Sequence, residues 1–220
     1  MNKIDWKKIK GAVFDLDGTL LDSAWVWDKV DQDFLGARGF DVPDDYVEAI
    51  SPLGATKAAI YTKERFGLDD ENIKDIVREW FDMARLEYKV DVVCKPYAKE
   101  FVKMLYDMGI SLAVATSSDR ELFMSTLKRE GLLGYFDAIV TVEEVPRGKG
   151  FPDIYEEAAR RIGVTCSECV VLEDILLGVK AAKTGGFISV GVEDEKSLHH
   201  AESMKEIADV YIQSFEELMD

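Results

Sequence analysis

The sequence predicts an α/β protein, a doubly wound parallel sheet interrupted by an inserted all-helical domain. Three observations predict it. Short apolar runs rich in Val, Ile and Ala recur along the chain, bounded by Gly or acidic residues, as strands buried on both faces require. Helical patterns separate these runs, and alternating strand and helix imply right-handed βαβ crossovers. Between residues 22 and 92 the alternation stops: helical periodicity is present and no convincing strand is.

Taken in order, the runs fall at 11–16, 110–116, 138–142, 169–172 and 187–192. Between 22 and 92, one helix is expected over 24–37 and another over 56–65. A third carries the stripe Ile73, Ile76, Val77, Trp80, Phe81 and Ala84, with Asp69 or Asp70 as its cap. Further on, Pro96 suits a first helical position, and Phe101, Met104, Leu105 and Met108 continue the helix to a stop at Gly109. Helical character returns at 119–130, 152–162 and 175–184, the last ending at Gly185-Gly186. The expected division is a core of 1–21 with 93–220, and a helical insertion of 22–92.

Composition narrows the function. A chain of 220 residues can bury roughly 70% of its unfolded surface, enough for one sizeable core with a satellite. Its net charge of −16 repels phosphate backbones and anionic lipid, so neither nucleic acid nor membrane is an expected partner, and no obligate protein partner is evident. The basic N-terminus lacks a following signal-type apolar region, and no apolar run approaches the ~20 residues that span a bilayer. Three cysteines (Cys94, Cys166 and Cys169) do not suggest a disulfide framework. These features predict a cytoplasmic protein.

The chemistry concentrates at the predicted strand ends, where open α/β sheets bind ligands. Asp15-Leu16-Asp17-Gly18-Thr19 closes the first run, and a carboxylate there loses hydration unless a cation compensates. Glu173-Asp174 closes Val170-Val171-Leu172, and acids from two strand ends can converge on one hard cation such as Mg²⁺. Thr116-Ser117-Ser118 offers hydroxyls and backbone donors suited to phosphoryl oxygens, and Lys149 follows the run at 138–142. Metal-binding acids, a nucleophile, oxygen donors and a neutralising lysine make a set suited to phosphoryl transfer.

This ordered quartet, with a helical insertion directly after the first motif, resembles the haloacid dehalogenase-like superfamily, in its phosphatase and β-phosphoglucomutase-like branch with a Rossmann-like core and helical cap. The resemblance implies Asp15 as nucleophile, forming an aspartyl phosphate, and Asp17 as general acid and base whose main-chain carbonyl also meets Mg²⁺. It implies Thr116 as a phosphoryl-binding hydroxyl with Ser117 beside it, and Lys149 as charge neutraliser. Asp174 becomes a metal ligand, with Glu173 in direct contact or just behind. An acid at Asp17 implies phosphate-ester chemistry rather than dehalogenation, because an alkoxide leaving group needs a proton. The insertion is expected to act as a lid, with hinges near 21–23 and 91–93. Its stretch Leu53-Gly54-Ala55-Thr56-Lys57 is similar to a substrate-meeting cap loop, with Lys57 either reaching a distal anionic group or simply solvated. Two departures stand out: Ile175 where the family often has Ser or Ala, and Gly150-Phe151-Pro152 where Pro often follows the lysine directly.

Cys166-Ser167-Glu168-Cys169 precedes a predicted strand and lacks the partners of a zinc site, so Cys169 reads as a small core residue. His199-His200 lie away from the strand-end acids, and no nucleophile elbow or P-loop is present. Trp25 and Trp27 are expected either in cap packing or on a substrate-facing wall. The expected activity is Mg²⁺-dependent hydrolysis of a small phosphorylated metabolite, a sugar phosphate being one class. The alternatives are a phosphohexomutase and a non-catalytic module binding Mg²⁺ and phosphate.

Overall fold

The structure, a computed structural model, describes residues 4–50 and 53–219; Met1–Lys3, at the start of the predicted core, lie outside them. The first apolar run forms β1 (Gly11–Phe14), buried along its whole length. The chain turns through Gly18, whose φ of +79° lies in the left-handed region that favours glycine, into β2 (Leu21–Asp22). Four helices follow: α1 (Val26–Gly36), α2 (Tyr46–Ile50), α3 (Ala55–Phe66) and α4 (Ile73–Val90). The chain returns as β3 (Val93–Cys94), pairing antiparallel with β2. Alternation then resumes with α5 (Ala98–Asp107), β4 (Ser111–Thr116), α6 (Arg120–Arg129), β5 (Ala138–Thr141), α7 (Asp153–Arg161), β6 (Cys169–Glu173), α8 (Leu176–Thr184), β7 (Ile188–Val192), α9 (Ala201–Ile207) and β8 (Val210–Ile212).

Six of these strands form one parallel sheet in the order β5-β4-β1-β6-β7-β8. The order reverses direction on either side of β1, so helices cover both faces as a doubly wound sheet requires. On one face Val13, Ala113, Val140 and Val171 pack with Ile154, Tyr155, Ala158 and Ala159 of α7. On the other, Phe101 of α5 is the aromatic centre, with edge contacts to Phe14 at 6.1 Å and Trp6 at 5.5 Å and a tilted contact to Phe215.

Several details differ from the sequence expectation. The cap of α4 is Asn72, whose side chain accepts from the Lys74 amide, rather than Asp69 or Asp70. Pro96 lies in a turn outside α5, because Tyr97 takes a left-handed backbone (φ 61°) and the helix begins at Ala98. Strand β8 and the β2–β3 pair, which extends to Asp22, add to the strands expected.

The chain divides into two compact units, one holding the chain up to Ala24 and from Val92 onward, the other Trp25–Asp91. Within the helical unit, α4 packs on α1 and α3, and Ile76, Trp80, Ala84 and Tyr88 form its buried stripe. Trp27 is exposed over 42% of its surface, its ring meeting Phe81 edge-on at 5.7 Å. Among the described residues, no helix is long and apolar enough to cross a membrane.

Candidate active site

A parallel sheet brings all its strand C-termini to one edge, and the register here sets three of them level. Phe14 pairs with Val114 of β4 and Leu172 of β6, so the next residues along (Asp15, Ala115 and Glu173) fall side by side. The Asp15 amide donates to the Leu172 carbonyl at 3.0 Å, which carries the β6 ladder one residue past β1 and fixes the first acid. Thr116 and Glu173 are the last residues of β4 and β6, and Asp174 follows.

Asp15, Glu173 and Asp174 are all buried, and one carboxylate oxygen from each lies within 4.8 Å of the others. Lys149, itself buried, ties this cluster together. Its ammonium is ion-paired with Asp15 and donates to Glu173 Oε1 at 2.6 Å. Thr19 adds a hydroxyl that reaches Asp174 Oδ1 at 3.1 Å and Asp15 Oδ2 at 3.4 Å. Gly18 makes the packing sterically feasible: a Cβ there would lie 2.8 Å from Asp174 Cγ and 3.3 Å from Asp194 Cγ.

Electrostatics follow from this crowding. Burial pushes the Asp15 carboxyl well above the usual carboxylate range, against the pull of Lys149 and aided by Glu173, Asp174 and Asp17. Burial, with Glu173 beside it, pushes Asp174 up to about 7. Burial alone would lower the Lys149 ammonium, but Asp15 and Glu173 outweigh it and hold it above its ordinary value. The cluster thus has more buried negative charge than one lysine balances. The donors are all oxygens, and Glu173 Oε2 is buried without a hydrogen-bond partner. Such a set fits a hard divalent cation, with Asp15, Glu173 and Asp174 as the side chains that would hold it.

The Asp17 carboxylate lies outside the metal-suited trio, though near enough for its charge to act on Asp15. It accepts from Ser23 Oγ at 2.7 Å on one oxygen and from Ser118 Oγ on the other. Thr116 is fully buried, and its hydroxyl oxygen accepts the Ser118 amide at 3.0 Å, shaping the turn after β4. Ser117 is exposed on that turn. The structure therefore brings together Asp15, Asp17, Thr116, Lys149, Glu173 and Asp174. Lys57 belongs to the helical unit, exposed in the first turn of α3. The sequence expectations assign no role to Thr19, although it stands inside a quoted motif, or to Tyr155; Ser23 is expected at a hinge and Ser118 among the phosphoryl-facing hydroxyls, and both of these hydroxyls reach Asp17.

The departures have local consequences. Ile175 occupies the cap position of α8 with no side-chain bond to the helix N-terminus. Gly150 approaches Leu177, and Phe151 lies under the Arg147 guanidinium at 4.2 Å from its ring centroid. The cysteines are free, and burial pushes the Cys169 thiol up to about 12, consistent with a core residue.

Residues 12–192 match the family of haloacid dehalogenase-like hydrolases, and the chain belongs to it. It is an enzyme of that family, on the side of its phosphatases. The fructose-1-phosphate phosphatase YqaB of Escherichia coli (strain K12) is 30% identical, over 85% of this chain and 98% of that protein. SUPPRESSOR OF QUENCHING 1, a chloroplastic protein of Arabidopsis thaliana, is 34% identical over 86% of this chain, which spans only 18% of that longer protein. Among solved structures, CbbY from Rhodobacter sphaeroides in complex with phosphate superposes with a TM-score of 0.73 at 26% identity, covering 96% of each chain.

Proposed function

We propose that the protein is a cytoplasmic, Mg²⁺-dependent phosphatase of small phosphorylated metabolites, sugar phosphates foremost. The observation that carries the proposal is the pairing of Asp15 with Lys149 inside a buried acid cluster, while Asp17 is held separately by two hydroxyls. A carboxylate with a lysine ammonium against it has its charge balanced as it attacks, and an acid two residues on, with its side chain outside the metal-suited trio, suits general acid and base work.

In this reading, Asp15 attacks phosphorus as the ester oxygen departs, and Asp17 protonates that oxygen. Asp17 then takes a proton from water, which attacks the aspartyl phosphate and returns Asp15 as a carboxylate. Lys149 balances charge on Asp15 and the phosphoryl oxygens, and Thr116 and Ser117 supply donors to those oxygens. Bound Mg²⁺, held by Asp15, Asp174, Glu173 and the Asp17 carbonyl, would neutralise phosphoryl charge and favour in-line attack. Residues 22–92 act as the cap that selects the leaving group, with Lys57 contacting a distal anionic group when the substrate carries one. The sugar preference draws on relatives named for fructose 1-phosphate and hexitols.

The test is phosphate release across a panel of sugar, nucleotide and short-chain acid phosphates. Activity should vanish with EDTA, return with Mg²⁺ and fall to background in Asp15→Asn. Residual turnover in Asp15→Asn would rule out the nucleophile assignment. Turnover that depends on a sugar bisphosphate and yields an isomer instead of free phosphate would identify a phosphohexomutase.

A further inference from the structure

Behind the acid cluster lies a buried phenol that the reaction scheme above does not use. Tyr155 is fully buried on the inner face of α7, its ring edge-on to Phe187 with centroids 6.3 Å apart. Its hydroxyl donates to Glu173 Oε1 at 2.8 Å, the same oxygen that accepts from Lys149 at 2.6 Å. Glu173 is also fully buried, and its other oxygen has no hydrogen-bond partner. Two donors on one carboxylate oxygen therefore fix the orientation of this side chain.

The backbone is shaped around the contact. Gly178, in the first turns of α8, has no Cβ, and one placed there would lie 2.5 Å from Glu173 Cδ and 2.8 Å from the Tyr155 hydroxyl. Glycine within a helix is unfavourable relative to alanine. Here the space a methyl group would fill is occupied by the Glu173 carboxylate and the phenol oxygen.

We propose that Tyr155 is a positioning residue for the phosphoryl-transfer site: its hydroxyl pins Glu173 so that the Lys149 ammonium is shared with Asp15. Lys149 has two acids to choose between, Glu173 on one side and Asp15 on the other. A Glu173 whose charge is partly satisfied by Tyr155, and whose carboxylate cannot turn, leaves Lys149 poised over Asp15. Without the phenol, Glu173 draws the ammonium toward itself, and Asp15 loses its partner at the reacting position. The inference rests on the phosphatase reading above.

The experiment compares Tyr155→Phe, Gly178→Ala and Phe187→Leu with the wild type, using p-nitrophenyl phosphate and Mg²⁺. Tyr155→Phe keeps the ring and removes only the donor, so kcat should fall about tenfold while KM stays within about twofold, as expected when a hydrogen bond to a charged group is lost. Gly178→Ala presses a methyl group on the same carboxylate and on the phenol oxygen, disturbing their contact, and should show the same kcat-selective loss. Phe187→Leu disturbs the packing without touching the hydroxyl and should leave kcat within about twofold. The inference is overturned if Tyr155→Phe retains wild-type kcat, if its loss falls on KM, or if Phe187→Leu loses as much. Should Tyr155→Phe fail to fold, a wild-type kcat in Gly178→Ala overturns it equally. Asp15→Asn, measured alongside, separates the two levels: its retention of activity defeats the phosphatase reading, whereas its inactivity beside an unimpaired Tyr155→Phe defeats only the role given to Tyr155.

Discussion

Replacing Lys149 with methionine tests the electrostatics of the cluster directly. The substitution keeps an unbranched side chain of similar length and removes the charge that meets both Asp15 and Glu173. Each lost bond is charge-assisted and buried, worth about 1.5–3 kcal/mol, so about 3–6 kcal/mol of transition-state stabilisation is at stake. At about 1.4 kcal/mol per decade, kcat/KM should fall by about 10²- to 10⁴-fold. The protein should still fold. Two unit charges about 4 Å apart at an effective dielectric near 20 repel by about 4 kcal/mol, and the carboxyls escape that cost by taking up protons. The assay is steady-state hydrolysis of p-nitrophenyl phosphate at saturating Mg²⁺, with a thermal melt to confirm folding. A folded Lys149→Met enzyme within about fivefold of wild-type kcat/KM would refute the claim that this lysine balances the acids.

Three further outcomes are expected. Gly18→Ala forces a side chain into a left-handed backbone at about 1–2 kcal/mol and presses a methyl group on Asp174, so the Mg²⁺ concentration for half-maximal activity should rise at least about tenfold; an unchanged metal titration contradicts the cradle. Arg38 bridges Glu71 and Glu79, caps the Phe34 carbonyl at 3.0 Å and stacks on the Phe34 ring at 3.6 Å, so Arg38→Ala should destabilise the helical unit by about 1–3 kcal/mol, read as faster hydrogen exchange in α1 and α4. In EDTA, the native protein holds a proton on Asp174 up to about pH 7 that the unfolded chain releases near its ordinary value of about 4. Native stability contributed by that proton is complete below the unfolded value and lost as pH rises to about 7, so Asp174→Asn should gain melting temperature on the wild type across that window. A pH-independent difference would contradict the raised carboxyl.

The parts of the molecule that could be read from sequence share a physical cause. The runs behind β1, β4, β6 and β7 are visible because interior parallel strands are buried on both faces and so are continuously apolar; β5, at the sheet edge and only half-buried at Ala138 and Ile139, shows because Ile139 and Val140 are apolar and its inner face packs on α7. Strand β8 (Val210–Ile212) is short, half-exposed at the sheet edge and leaves no such run. The β2–β3 pair spans two residues on each side and has no periodicity to detect. Tyr97 shifts the start of α5 through a backbone conformation that its residue type disfavours, which no pattern announces. At the site, the strand-end acids were legible because parallel topology sends them to one edge. Thr19, Ser23 and Ser118 act through turn geometry, and Tyr155 reads as ordinary helix core until its hydroxyl is seen against Glu173.

The short antiparallel clasp of Leu21 with Cys94 and Asp22 with Val93 has an architectural consequence. The polypeptide departs and returns through adjacent rungs of one ladder, so the sheet receives a closed boundary whatever is spliced between them. Joining Asp22 to Val93 by a tight turn should leave the six-stranded platform in register. The same two rungs form a socket for grafting a different insertion while the acid cluster stays as built, and on the proposed reading such a graft exchanges the leaving group that is selected.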